Sequence, residues 1–310
     1  MPGAPNQNAG QDGPKSITVH LVDGTYELFR HHFALPDHRN ADGVEVAATR
    51  GVVGSMLNML EDGATHLGVA TDHVVESFRN ELYDGYKTGE GLEPDLWNQF
   101  HLLEDCLTSL GLKVFAMVEH EADDGLAAAA AVAKADPRTR EVLICTPDKD
   151  LSQCVEDGRV AQYDRRKRQR IDRAAVIKKF GVPPEAIPDY LALVGDTADG
   201  FPGLPGWGAK SAATVLARYG QLEAIPADNE EWDVKVRGAA RLAATLREQL
   251  DDAKLFRQLA TLDESAPSMA SIDELRWSGP AEDFAARMHE IDAPRLVERA
   301  ERLMARRGSQ

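Results

Sequence analysis

SITVHLVDG (residues 16–24) is a short apolar run, rich in β-branched residues, that stops on an acid and a glycine. It reads as a buried strand with Asp23 at its carboxyl end. LGVATD (67–72) ends in the same way on Asp72, and VLICTPDKD (142–150) ends on Asp148 and Asp150. EADDGLAAAAAVA (121–133) instead opens a helix with Glu121, Asp123 and Asp124. Strands alternating with helices predict an α/β fold whose mostly parallel sheet is covered on both faces. The carboxyl ends of such strands converge on one crevice. Seven carboxylates would meet there without a comparable local supply of Lys or Arg. A cluster of that kind stays ionised only if cations neutralise it. Hard oxygen ligands point to Mg²⁺ or Mn²⁺ rather than Zn²⁺. One or two of these acids would pass as caps or turn residues; four converging segments are too many for that account.

Further along, residues 46–62 have helical periodicity, with Val52, Val53, Met56, Leu57 and Leu60 on one face. Pro94 opens a predicted helix over 94–110, and a strand is expected at 112–118. RRKRQR (165–170) reads as a hairpin turn between two short strands, equally suited to nucleic acid or to solvent. From about 174 the pattern is wholly helical, ending in an amphipathic helix over 280–308. The expected organisation is a disordered leader at 1–15, a metal-binding α/β domain at 16–173, a helical subdomain at 174–265 and a helical extension at 266–310.

The 310 residues carry a formal net charge of −16, which argues against a broad basic surface for non-specific DNA binding. No apolar run is long enough to span a membrane, and the first residues lack the apolar core of a secretory signal. Cys106, Cys145 and Cys154 lack metal spacing and suit a core in a reducing cytoplasm. His31, His32, His66 and His101 have no partner spacing that suggests a triad or a zinc site.

LALVGDTADGFPGLPGWGAKSAATVLARYG (191–220) is a helix, a Gly/Pro-rich loop and a second helix. Gly203, Gly206 and Gly208 would let backbone amides approach a ligand, and Lys210 stands in the first turn of the second helix. Such a helix start binds phosphate without reading bases. A tight helix–helix connector explains one or two of the glycines, but less well the glycines, prolines and lysine together. Asp196 and Asp199, at i and i+3, would share a face toward the acidic crevice.

With four blocks in order, LVDGTYELFR (21–30), TDHVVESFRNELYDGYK (71–87), EADDGLA with TPDKDL (121–127 and 146–151) and VGDTADGFPGLPGWGAKSA (194–212), the chain resembles the structure-specific 5′ nucleases. These are the flap endonucleases and the 5′-nuclease domain of bacterial DNA polymerase I. The similarity runs from about residue 16 to about 265. It implies a PIN-like sheet domain with a helix–three-turn–helix subdomain, in a stand-alone, monomeric, metal-dependent 5′-3′ exonuclease or flap endonuclease. Cleavage would leave a 5′-phosphate on branched or 5′-ended duplex DNA, or on an RNA–DNA hybrid. The resemblance places a first ion at Asp23, Asp72, Glu121, Asp123 and Asp124, and a second near Asp148, Asp150, Asp196 and Asp199. It brings Arg79 and Lys87 to the scissile phosphate, and gives the loop with Gly203, Gly206, Gly208 and Lys210 a grip on duplex and a K⁺ ion.

One stretch departs from the family. In YKTGEGLEPDLWNQF (86–100), Glu90, Glu93 and Asp95 stand where positive charge is usual, and Gly89 and Gly91 weaken helix. An acidic arch would repel a threaded strand. Two rivals follow: a non-catalytic or non-threading DNA-junction binder on the same fold, and a PIN-type ribonuclease.

Overall fold

The computed structural model describes residues 17–308; the leader expected at 1–15 lies outside the described residues. Six strands, β1 (Ile17–Asp23), β2 (His66–Asp72), β3 (Lys113–Met117), β4 (Thr139–Cys145), β5 (Val160–Asp164) and β6 (Gln169–Ile171), form one sheet of order β3-β2-β1-β4-β5-β6. All neighbours are parallel except β5 and β6, which form the antiparallel hairpin expected around 165–170. The helices are α1 (Gly24–His32), α2 (Ala47–Glu61), α3 (Phe78–Leu82), α4 (Pro94–Trp97), α5 (Gln99–Ser109), α6 (Ala122–Ala135), α7 (Arg173–Phe180), α8 (Ile187–Val194), α9 (Ala209–Tyr219), α10 (Ala239–Glu248), α11 (Leu250–Ala260), α12 (Phe284–Glu290) and α13 (Arg295–Gly308). The result is an α/β architecture with a mostly parallel sheet between helices, followed by a helical region.

Alternation along the strands sorts side chains to two faces. Val19, Leu21, Val142 and Ile144 join Ala128, Ala129 and Ala133 of the alanine-rich α6 on one side. Val22, Leu67 and Val69 join Val52, Met56, Leu57, Leu103 and Leu107 of α2 and α5 on the other. A third core, with Leu191, Leu193, Val215, Leu216 and Phe256, holds α8, α9 and α11 together.

Two predicted helices are broken. The helix expected over 94–110 divides into α4 and α5 at Asn98. The one expected over 280–308 divides into α12 and α13 around Pro294, because a proline disfavours helical backbone at the residue before it. Residues 266–308 return to the sheet layer. Trp277 donates its indole N–H to Leu110 O at 2.8 Å, while Met288, Ala300 and Leu303 enter the core of α2 and α5.

Candidate metal centre and nucleic-acid interface

Parallel strands bring their ends to one edge. β1 delivers Asp23, whose Oδ1 caps α1 by accepting from the Tyr26 amide at 2.8 Å and whose Oδ2 accepts from the Thr146 hydroxyl at 3.0 Å. β2 delivers Asp72, which accepts from the Ala122 amide at 2.8 Å and so fixes the start of α6 against the strand. Beyond β4, Asp148 Oδ1 accepts from the Asp150 amide at 2.9 Å and orients both carboxylates. Asp196 and Asp199 come from the turn after α8, which is closed by reciprocal backbone bonds between Asp196 and Phe201.

One oxygen each from Asp123, Asp148 and Asp150 lies within 4.8 Å of the others, and the same holds for Asp150, Asp196 and Asp199. Asp150 belongs to both groups, and its buried Oδ1 receives no hydrogen bond. An all-carboxylate donor set with an orphaned buried oxygen fits hard divalent cations. Asp23 and Asp72 stand beside these groups. Two lysines answer part of the charge. Lys87 Nζ bridges Glu121 Oε2 at 2.7 Å and Asp199 Oδ1 at 3.0 Å, and Lys149 pairs with Asp196 and lies 3.8 Å from Asp150 Oδ1. Lys149 was not among the residues expected from sequence; its place between Asp148 and Asp150 is the signal that identifies it.

The electrostatics follow from this crowding. Burial, then the charges of Asp72 and Asp148, push Asp23 up to about 7 against the pull of the Tyr26 amide. Burial, then neighbouring carboxylates, pushes Asp123 and Asp150 well above the usual range. Burial also raises Asp72 and Asp199, with Lys87 opposing it. Burial acts against ionisation of Glu121, but Lys87 and Arg79 outweigh it and hold this carboxyl below its usual value. Burial likewise opposes the charge on Lys87, and Glu121 and Asp199 outweigh it. The raised acids keep protons that the unfolded chain releases at ordinary carboxylate values. The native state therefore binds more protons than the unfolded one, and the metal-free protein loses stability as pH rises from near 3.8 through about 7. Metal replaces those protons. Melting curves with and without millimolar Mg²⁺ should show a larger Mg²⁺-induced rise in Tm at about pH 8 than at about pH 5. An equal rise at both would contradict this assignment.

Three expected site residues, Arg79, Asp124 and Glu121, lie outside the two carboxylate groups. Arg79, 1% exposed, makes a bidentate pair with Asp124 at 2.7 Å through both terminal nitrogens, and donates to Leu259 O at 2.8 Å and Thr261 O at 2.9 Å. Asp124, fully buried, also accepts from the Glu121 and Asp263 amides. With its oxygens thus occupied, Asp124 stands outside both carboxylate groups, and Arg79 has no donor facing an open phosphate site. Glu121 is held by Lys87 and by the Ser77 hydroxyl at 2.8 Å, also outside both groups.

The glycine-rich loop divides in the same way. A Cβ on Gly203 (φ 68°) would lie 2.2 Å from Gly195 N, so this buried glycine lets the loop pack against the end of α8 rather than approach a ligand. Gly206, Gly208 and Lys210 are exposed, and Gly208 leaves the first turn of α9 without a side-chain cap. A Cβ on Gly200 would lie 2.0 Å from Gly85 O; this close approach lets the Lys87 amide donate to Asp199 O at 3.0 Å. In the basic hairpin, Arg165 pairs with Glu27, Lys167 with Asp164, and Arg170 with Glu141 and Asp172. The acidic stretch is moored to the end of α1 and the loop after it, with Glu93 Oε2 3.4 Å from His32 Nε2 and Asp95 paired to Arg39. An open cavity of 850 Å³, lined by Thr18, His20, His66 and Arg138, lies at the opposite end of the strands and holds none of these carboxylates.

A family model described as 5′-3′ exonuclease, N-terminal resolvase-like domain, matches residues 18–181, and a second, 5′-3′ exonuclease, C-terminal SAM fold, matches 182–283. DNA polymerase I of Rhizobium leguminosarum is 35% identical over 84% of this chain and 26% of its own length. That of Mycobacterium leprae is 35% identical over 89% of the chain and 30% of its own length. The chain thus spans less than a third of these relatives. Among solved structures, the bacteriophage T5 D15 flap endonuclease in a pseudo-enzyme-product complex with DNA and metal ions shares the fold (TM-score 0.61, 19% identity, 92% of this chain and 99% of that one). Flap endonuclease-1 from Methanococcus jannaschii does so with a TM-score of 0.59 at 15% identity, over 94% of each chain.

Proposed function

The chain belongs to the 5′-3′ exonuclease family, and from that premise we propose that it hydrolyses DNA phosphodiesters as a metal-dependent, structure-specific 5′ nuclease. The observation that carries this reading is the pair of carboxylate groups sharing Asp150 at the carboxyl edge of the sheet. Asp123, Asp148 and Asp150 would hold one divalent ion, Mg²⁺ or Mn²⁺, and Asp150, Asp196 and Asp199 a second, with Asp23 and Asp72 acting beside them. Bound there, such ions supply an acidified water and neutralise charge on the phosphate. Lys87 reaches the same crevice as a fixed cation suited to a pentavalent phosphate. Arg79 and Asp124 act as a buried strut.

The α/β layer corresponds to a PIN-like domain and the segment around α8 and α9 to a helix–three-turn–helix, with domain limits near 173 and 265. Gly206, Gly208 and Lys210 would meet duplex phosphate, and the carbonyls of the same loop would hold K⁺. DNA in the T5 D15 complex supports a DNA substrate here. The reading takes the chain as a monomer, acting on branched or 5′-ended duplexes and on RNA–DNA hybrids, with 5′-phosphate products. Among the described residues no helix is long and apolar enough to cross a membrane.

Product mapping on 5′- and 3′-labelled flap, nicked and blunt DNA, with parallel RNA and hybrid substrates, tests this reading. Mg²⁺-dependent release of 5′-phosphate fragments from flaps is expected. Binding without cleavage favours a junction binder, and cleavage of RNA alone favours a ribonuclease. Lys210→Ala should weaken duplex binding equally across sequences and lower the slope of log affinity against log salt by about 1. An unchanged slope would remove the α9 start from the interface.

A further inference from the structure

His73, His101 and Glu104 bring three ligand atoms together on the α5 side of β2, and we propose that they bind a transition-metal ion of the Zn²⁺ class at a site separate from the carboxylate cluster. Their spacing in sequence conceals this, because His73 comes from the turn after β2 while His101 and Glu104 come from α5. Positions i and i+3 on a helix share a face, so one turn of α5 presents both side chains to the strand end. His73 Nδ1 lies 2.7 Å and His101 Nδ1 3.6 Å from the same oxygen, Glu104 Oε2. One ligand atom from each of the three residues lies within 4.8 Å of the other two. Tetrahedral Zn²⁺ with bonds of about 2.0–2.1 Å separates its ligand atoms by roughly 3.3 Å, so the observed distances bracket the requirement.

The carboxylate is oriented from behind. Glu104 Oε1 accepts from the Thr71 hydroxyl at 2.7 Å, while Oε2 is hydrogen-bonded to His73 Nδ1 at 2.7 Å, a bond that an ion seated between the two atoms would replace. Glu104 is buried, while the histidine side chains are 38% and 54% exposed, which gives an ion a way in and leaves a coordination position for water. Two imidazoles and one carboxylate suit Zn²⁺, Co²⁺ or Ni²⁺, whereas Mg²⁺ selects oxygen ligands of the kind found in the cluster. Thr71 and Asp72 are successive residues of β2 and point to opposite faces, Thr71 toward Glu104 of α5 and Asp72 toward the start of α6. The two sites are therefore distinct in place and in ligand class. An ion held here would fasten the end of β2 to α5. It would also steady the acidic stretch through Trp97, whose ring meets His101 edge-on at 6.5 Å.

Titration of the full chain with ZnCl₂ by calorimetry, in saturating Mg²⁺, tests the proposal. One Zn²⁺ equivalent that Mg²⁺ does not displace is expected, and it should survive Asp150→Asn, which removes the ligand shared by the carboxylate groups. Removing even an outer partner of a metal ligand weakens binding 10–100-fold, so His101→Ala should weaken Zn²⁺ by at least roughly a hundredfold while leaving Mg²⁺-supported cleavage unchanged. His101→Cys restores a ligand and should recover binding, with a sulfur-to-metal charge-transfer band when Co²⁺ replaces Zn²⁺. The proposal is overturned if wild type takes up no Zn²⁺ under Mg²⁺, or if His101→Ala binds it as wild type does.

Discussion

Asp150→Asn should lower flap cleavage by at least about a thousandfold while leaving the fold and the grip on branched DNA in place. Asp150 supplies an oxygen to both carboxylate groups, so its loss damages both ion positions at once. Asp123 and Asp148 each belong to one group. The amide keeps the volume of the carboxylate and removes one negative charge from a buried pocket. Burial and Asp148 already push the Asp150 carboxyl well above its usual range, so the metal-free variant gains from the change. Its Tm without metal should be equal to or higher than that of wild type, and the rise in Tm on adding Mg²⁺ should shrink. DNA affinity measured in Ca²⁺ or without metal should stay close to wild type, because the exposed loop with Gly206, Gly208 and Lys210 is untouched. Cleavage within tenfold of wild type would show that Asp150 does not join the two groups functionally.

Much of this centre is legible in the sequence, for physical reasons. The apolar runs at 16–22, 67–71 and 141–146 became strands because buried parallel strands are continuous hydrophobic segments. Their parallel direction then carried Asp23, Asp72, Asp148 and Asp150 to one edge. What stayed illegible was the division of labour among residues of one chemical type. Glu121, Asp123 and Asp124 open the same helix, but successive helical positions turn by about 100°. Asp123 therefore faces Asp148 and Asp150, while Asp124 faces Arg79. A carboxylate that holds metal and one that holds a guanidinium look alike in sequence; burial and partners separate them. Gly203 and Gly206 differ for the same reason, since a glycine buried against the end of α8 and one left exposed share a letter. The grouping of His101 with His73 and Glu104 required the strand end and α5 to be in register, which periodicity does not reveal.

Arg79→Ala should destabilise the protein by about 3–5 kcal/mol, the cost of breaking a buried ion pair and leaving one charge uncompensated. That is a large share of the roughly 5–15 kcal/mol that keeps a domain folded. The guanidinium does more than neutralise Asp124. Its bonds to Leu259 O and Thr261 O tie α3 and α6 to the end of α11, so the substitution also strands two carbonyls where the helical region meets the sheet layer. Asp124→Asn should cost a comparable amount, since it leaves the buried Arg79 cation with only Glu121 3.4 Å away, and its NH₂ group cannot accept the N–H donors that both carboxylate oxygens now take. Arg79→Met with Asp124→Leu removes both charges together, and apolar replacement of a buried pair is often close to neutral. Here recovery should be partial, because the Glu121 and Asp263 amides lose their acceptor as well. Urea denaturation of the four proteins gives these differences directly. Cleavage per folded molecule separates the strut from a catalytic role: if Arg79 only holds the two regions together, the double variant at low temperature keeps a kcat near wild type. A double variant that is well folded, binds DNA and fails to cleave would return Arg79 to the scissile phosphate.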